Sequence, residues 1–321
     1  MHDVDYAYAV ANIRANELKL LTKTDLTALI SSKSAAEAMR LLKNKGYGGN
    51  ESFDTEDQML KAQRDKVFSY VKELAGDSRI FDIFLMKNDF QNLKVLIKSK
   101  ITENNSGLNL PPGLISVPEL KAAVDSETFS ALPEWVNEAA KNAFLTAAET
   151  GNGQLCDIII DKALLKQMQK AAQDSKNTFL TELFGKIVAL YDVKTALRAC
   201  KSKKSSSFIF DTLVPCDYVD INELADCSKD MDALLDYIKN TVFSESTDAI
   251  AKGLSAFEKY CDDFIIKQIK TVKYNAFGIE PLIAYLICNE MEQKNVQIIL
   301  AGKRGGIPAE DISERMRDTY V

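Results

Sequence analysis

The run Phe84-Leu85-Met86-Lys87-Asn88-Asp89-Phe90-Gln91-Asn92-Leu93-Lys94 decides how the rest of the chain is read. It holds no glycine or proline, and it opens a stretch, 89–99, whose periodicity is helical. It closes on the triplet Asn92-Leu93-Lys94, a polar residue, an aliphatic residue and a base. Close relatives of that triplet recur as Asn12-Ile13-Arg14, Asp192-Val193-Lys194 and Asn295-Val296-Gln297. A second pattern follows each copy: an aliphatic residue, three positions, an acid, then an aliphatic residue. It appears as Leu21…Asp25-Leu26, Ile115…Glu119-Leu120, Val219…Glu223-Leu224 and Ile307…Asp311-Ile312. The order of the two patterns never changes, which marks an internal repeat.

The two middle copies stand about 100 residues apart, so the repeating unit is a helical lobe rather than one solenoid hairpin. The first and last copies sit at the two ends of the sequence. Bringing the ends together would complete one lobe and give three in all: 1–80 with about 280–321, about 81–185, and about 186–279. Helical spacing continues along the chain. Leu18, Leu21, Leu26, Leu29 and Ile30 are spaced by threes, fours and fives. Ser34 with Glu37 reads as a capping box opening 35–45, and Gly46-Tyr47-Gly48-Gly49 ends that helix. Further helices are expected over 58–74, 135–150, 155–172, 232–241, 247–260, 281–300 and 309–320. Loops are expected at 104–113 and 201–207, and 207–210 is the one short run with an extended alternative. The expected class is all-α.

Composition supports that class and removes several functions. Fourteen glycines and seven prolines in 321 residues leave long helices unbroken. The formal charge of −6 runs against nucleic-acid binding, which favours a basic surplus. Six cysteines include no CxxC pair, and the single histidine is His2, so a Cys/His zinc site and His-based nucleophilic catalysis lack their parts. The cysteines read as small buried hydrophobes. Residues 1–5 are polar with no apolar core behind them, unlike a signal peptide. The longest apolar run, 282–288, is far short of the ~20 residues that span a bilayer.

Other features have plain structural readings. Gly302-Lys303-Arg304-Gly305-Gly306 lacks phosphate-loop spacing. It reads as Gly302 ending one helix and Pro308 opening the next, with Glu310 and Asp311 in its first turn. The pairs Asp230/Asp232 and Asp262/Asp263 read as surface or first-turn acids. Phe84, Phe90, Phe129, Phe144, Phe179 and Phe184 fall on apolar faces and read as core. Tyr6 and Tyr8 read as candidates for an exposed contact.

The same stretches resemble the C-subunit family of V/A-type ATPases, whose eukaryotic counterpart is the d subunit. Tyr6-Ala7-Tyr8-Ala9, Asn12 to Glu17, Leu20-Leu21-Thr22 and Asp25-Leu26 resemble its opening, and Ser34 to Ala38 with Leu42 and Gly46-Tyr47-Gly48 its next segment. Phe84 to Lys94 is the sharpest likeness. Asp192 to Ala199 is similar to a second such run, with Asp192 where Asn is usual. The end, including Glu314, Arg315, Arg317, Tyr320 and Val321, is similar to the family's terminal signature. The resemblance implies a three-lobed, pseudo-threefold helical funnel without catalysis or cofactor. It implies a cytoplasmic seat on the membrane proteolipid ring, a socket for the D and F shaft subunits, and the A and B nucleotide-binding subunits as indirect partners. A part in that position couples ATP hydrolysis or synthesis to proton or sodium movement.

In that setting the repeat's bases gain a role. Lys94 and Lys98, and Lys194 and Arg198, are one helical turn apart, so each pair projects from one face. With Arg14, and with Arg315 and Arg317 near the end, they are candidates for a partner interface. The plainer alternative is pairing within the chain, Lys94 with Asp89 or Arg14 with Glu17. Two rival functions also stand at this point: a cytosolic helical-repeat adaptor outside any motor, and an enzyme with a site among surface carboxylates, which would require a deep pocket of shifted pKa values.

Overall fold

The computed structural model describes residues 6–49, 51–76, 79–104 and 110–321. His2 and half of the expected loop 104–113 lie outside them. The described residues form sixteen α-helices and no β-strand; one isolated bridge pairs Cys216 with Val219. The chain is all-α, and it divides into two compact units.

The terminal unit joins Met1–Ser78 to Asp248–Val321. It contains α1 (Ala7–Glu17), α2 (Lys23–Ile30), α3 (Ala35–Asn44), α4 (Glu56–Ala75), α13 (Thr247–Lys252), α14 (Leu254–Lys270), α15 (Glu280–Arg304) and α16 (Ala309–Glu314). Helix α15 is its axis. Its sixteen buried residues are spread around the helix rather than along one stripe, as a helix enclosed by others requires. Val296, Ile299 and Leu300 of α15 pack with Leu26, Leu42, Met59 and Ile312 in one core.

The central unit, Arg79–Thr247, runs through α5 (Asp82–Thr102), α6 (Val117–Asp125), α7 (Glu134–Thr150), α8 (Gly153–Asp174), α9 (Thr178–Lys201), α10 (Ser206–Thr212), α11 (Ile221–Cys227) and α12 (Met231–Lys239). Phe90, Leu93 and Ile97 of α5 pack against Leu120, Val136, Phe144 and Ile160. The Phe90 and Trp135 rings lie 5.6 Å apart in a tilted arrangement. Each fully buried aliphatic or aromatic side chain contributes about 1.5–3 kcal/mol of transfer free energy.

The repeated patterns have distinct physical content. The second pattern is a helix start. Thr22, Ser116 and Asp220 each accept a backbone N–H from within the first turn of α2, α6 and α11, and Pro308 stands at the same position before α16. The acid of the pattern is the third helical residue. The flanking aliphatics are the residues before the cap and one turn in, a hydrophobic staple. Leu21, Leu26, Ile115, Leu120, Val219 and Leu224 are all buried.

The first pattern marks long helices that carry a buried polar hook. On α5 the Asp89 carboxylate accepts from the backbone N–H groups of Leu114 and Ile115 at 2.9 and 3.1 Å, and Asn92 donates to the Pro111 carbonyl at 2.7 Å. On α9 Asp192 accepts from Val214 N at 3.1 Å. On α15 Glu292 accepts from Leu21 N, and Asn295 holds both the N–H and the carbonyl of Arg317. Asn12 on α1 departs from the pattern: it is not buried and donates to the Tyr8 carbonyl within its own helix.

Several local expectations are corrected. Residues 207–210 are helical within α10, because Ser205 caps that helix at Phe208 N. The expected helix 309–320 stops at Glu314. Beyond it, Asn295 takes the Arg317 backbone, Asp262 takes the Arg317 guanidinium at 2.9 Å, and Asp263 accepts from Asp318 N. Residues 247–260 break at Gly253, whose φ of +118° no other residue adopts comfortably. Gly302 does not end α15, which continues to Arg304. A Cβ there would meet Ile312 at 2.7 Å, so Gly302 lets α16 approach. Ser34 caps α3 at Glu37 N, but the Glu37 carboxylate reaches back to Lys33 N rather than to Ser34. Phe179 is not buried, whereas the other five phenylalanines read as core are.

Burial pushes the Asp192 carboxyl up to about 8, with the Val214 hydrogen bond and Lys162 pulling the other way. In an unfolded chain the group titrates near pH ~4. Below that it is protonated in both states. As pH rises from about 4 through about 8, the unfolded chain ionises first, so stability is lost across that window. Asp192→Asn keeps an acceptor for Val214 without a charge to bury. It should flatten the fall in urea midpoint between about pH 5 and 8 and raise the midpoint at the alkaline end. An unaltered pH slope would rule out Asp192 as its source.

Candidate functional site

Between residues 91 and 100 on α5 and 191 and 200 on α9, burial follows the same order. Asn92, Leu93, Leu96 and Ile97 are buried, and so are Asp192, Val193, Ala196 and Leu197. The bases Lys94 and Lys194 sit at equivalent half-buried positions; one turn on stand Lys98, half-buried, and Arg198, exposed. Helices α5 and α9 thus present the same face, and α8 packs against both.

These faces border one open cleft of about 380 Å³ in the central unit, lined from α5, α8, α9 and α10. All four bases Lys94, Lys98, Lys194 and Arg198 line it. Two of them are paired across to α8. Lys94 Nζ is 2.6 Å from Asp161, and Lys98 Nζ is 2.8 Å from Asp157. The 94→161 and 98→157 order shows α5 and α8 running antiparallel. The internal partner of Lys94 is therefore Asp161 rather than Asp89, whose carboxylate is taken by the backbone of Leu114 and Ile115.

Three further bases of the cleft contact neutral groups. Lys162 Nζ donates to the Asp211 carbonyl at 2.7 Å. Lys194 Nζ stands 4.1 Å from the Tyr191 ring centre and Lys204 Nζ 5.3 Å from that of Phe208, both cation–π distances. Burial, followed by the nearby Lys166, pushes the Lys162 ammonium below its ordinary pKa. Asp157, Asp161, Lys162 and Lys204 are site residues that the sequence reading does not single out. Asp157 and Asp161 carry the same one-turn spacing as the bases, and that spacing is the signal that could have found them.

The other candidates belong to the terminal unit. Tyr6, expected at an exposed contact, is buried, while Tyr8 is 75% exposed. Arg14 binds Glu17 at 2.6 Å and donates to the carbonyls of Val272 and Asn275 at 3.1 and 3.0 Å. Arg317 is held by Asp262, which also binds Lys294 at 2.7 Å. Arg315 is exposed, and its carbonyl accepts from Arg317. The acid pairs have structural duties: Asp230 caps α12 at Ala233 N, and Asp263 binds Lys259 at 2.8 Å. Among the described residues no three His, Cys, Asp or Glu side chains gather as a metal site.

Comparison with known proteins gives one consistent answer. The family model described as ATP synthase (C/AC39) subunit matches residues 9–315. The C subunit of the V-type sodium ATPase of Enterococcus hirae is 26% identical, with 96% of this chain and 97% of that one aligned. The C subunit of the A-type ATP synthase of Methanocaldococcus jannaschii is also 26% identical, over 96% and 85%. The C subunit of the V-type ATP synthase of Thermus thermophilus is 21% identical, over 97% and 98%.

The Lys94–Asp161 pair is the better shielded, with side chains 15% and 35% exposed. A double-mutant cycle with Lys94→Ala and Asp161→Ala should return a coupling of about 1–2 kcal/mol in urea unfolding, as for a charged hydrogen bond largely withdrawn from water. The more exposed Lys98–Asp157 pair should return less than about 1 kcal/mol. Equal couplings would mean that burial does not separate the two.

Proposed function

The chain belongs to the ATP synthase (C/AC39) subunit family, and from that premise we propose that it is the central-stalk rotor component of a V/A-type ATPase. In this role it links the D and F shaft subunits to the proteolipid ring on the cytoplasmic face of the membrane. It transmits rotation between them, and so couples ATP hydrolysis or synthesis to proton or sodium transport. It carries no catalytic centre of its own.

The observation that carries this reading is the end-to-end alignment with relatives that are C subunits by name, which leaves little of either chain unmatched. The physical character of the chain supports it. A coupling part needs rigidity and charge matching. The buried hooks of α5, α9 and α15 supply the first, and the cleft's bases are suited to the second. No helix among the described residues is long and apolar enough to cross a membrane, which fits a component held at the ring by other proteins. The common register of α5 and α9, 100 residues apart, supports separate lobes at about 81–185 and 186–279. With the terminal lobe, 1–80 plus about 280–321, these would make the three-lobed, pseudo-threefold funnel. The exposed Tyr8 and Arg315 are proposed as contacts of the terminal lobe.

Affinity purification of the tagged full-length chain from native membranes in mild detergent tests this. Mass spectrometry should find the D and F subunits and the proteolipid, with A and B behind them. Recovery of none of these, with the chain monodisperse in the soluble fraction, would remove the rotary role and favour an adaptor outside any motor.

A further inference from the structure

The chain is acidic overall, yet residues 264–279 hold three lysines and no acid. They run from α14 into the turn that leads to α15. In that turn the side chain of Tyr274 is 90% exposed and that of Phe277 53%. The turn is nevertheless fixed. Val272 is buried, and its carbonyl accepts from Asn275 N at 3.1 Å. Arg14 of α1 donates to the carbonyls of both Val272 and Asn275, which ties the turn to α1 and leaves the Tyr274 ring in solvent. Leu18, one helical turn beyond Arg14, is 88% exposed, whereas Leu20 and Leu21 after it are buried. Leu18, Tyr274 and Phe277 thus stand on neighbouring turns joined through Arg14. Apolar tips grouped in this way gain nothing for the fold and mark a contact surface.

The electrostatic setting of these tips is positive. Lys19 follows Leu18 and donates to the neutral Asn16 side chain at 3.0 Å. Lys270 is exposed at the end of α14. Lys273 donates to the Tyr320 carbonyl and lies 5.4 Å from the centre of the Tyr320 ring, neither of which carries a charge. Glu17, the acid of this turn of α1, is buried and matched to Arg14 at 2.6 Å.

Apolar and aromatic tips among lysines suit a membrane interface: rings sit at headgroup depth, and ammonium groups meet lipid phosphates. A partner's groove reads a helix face at spacings of three and four. Here the tips come from two separate turns and make no such stripe. A headgroup layer imposes no register on what enters it. Because the backbone of the turn is already fixed, little freedom is lost when its side chains are buried.

We propose that the turn 271–278, together with Leu18, is a lipid-contact site that sets Leu18, Tyr274 and Phe277 into the headgroup layer of an anionic membrane, with Lys19, Lys270 and Lys273 on lipid phosphates. This goes beyond the rotary reading, which seats the chain through protein subunits, and its test does not depend on that reading.

The full chain should co-sediment with vesicles of equimolar phosphatidylcholine and phosphatidylglycerol, far less with phosphatidylcholine alone, and less again as salt is added. The variant Y274S/F277S, with an unchanged thermal melt, should bind the anionic vesicles at least about fivefold more weakly. If that variant does not fold, Y274W decides: lipids brominated on their acyl chains should quench its fluorescence beyond that of the wild type, whose single tryptophan is Trp135. In native membranes, a benzophenone side chain in place of Phe277 should join to lipid on irradiation. The proposal is overturned if the wild type does not bind the anionic vesicles, if a folded Y274S/F277S binds them as the wild type does, or if Y274W is quenched no more than the wild type. It is also overturned if the benzophenone joins only to protein, which would make the patch a protein interface.

Discussion

The rest of the structure depends on a polar side chain buried in a long helix that takes hold of a distant backbone. Asp89, Asp192 and Asn295 do this, and Glu292, half-buried as a residue, does so too. Burying a carboxylate is unfavourable unless donors meet it, and the cost appears as raised pKa values: about 6 for Asp89, about 8 for Asp192 and about 7 for Glu292, each raised chiefly by burial. In return, each captured segment of chain is fixed to one point on the helix surface. A hydrophobic contact can slide along a helix; two N–H groups on one carboxylate cannot.

This arrangement explains what was legible in the sequence. The start of α3 was readable because capping is local: Ser34 with Glu37 needs only neighbours in sequence, whereas the starts at Thr22 and Ser116 showed only as a recurring pattern. The long helices were readable because breakers are scarce. Of the hooks, Asn92, Asp192 and Asn295 show only as the first residue of a recurring triplet, and Asp89 and Glu292 stand three residues before one; their partners lie 19 to 271 residues away. The tail after Glu314 departs from its sequence pattern for a related reason. Ile312, Met316 and Tyr320 keep a spacing of four, as a helix would, but side chains of α14 and α15 capture the backbone of Arg317 and Asp318 and override that periodicity. Gly302 is not the helix end that its local sequence suggests, because its role depends on Ile312, which approaches from another helix.

The cleft shows the same division. The one-turn spacing of Lys94 with Lys98 and of Lys194 with Arg198 could be read directly. Their meeting in one place required α5 and α9 to share a register on either side of α8, and the pairing to Asp161 and Asp157 required α5 and α8 to run antiparallel. Neither fact is local. In the cleft, Asp157 and Asp161 are paired with Lys98 and Lys94, and the most perturbed carboxyl, Asp192, accepts from the Val214 backbone N–H.

The discontinuity of the terminal unit has a consequence for how the protein is made. The ribosome releases α1 to α4 long before α15, the helix around which they pack. Until more than 200 further residues emerge, Leu26, Leu42 and Met59 lack the α15 side chains that complete their core. The central unit is continuous in sequence, so helices that pack within it, such as α5 with α6, α7 and α8, emerge close together. Synthesis therefore leaves a finished middle waiting beside an unfinished beginning, and the exposed apolar faces of α2, α3 and α4 are the surface a chaperone would have to cover during that interval.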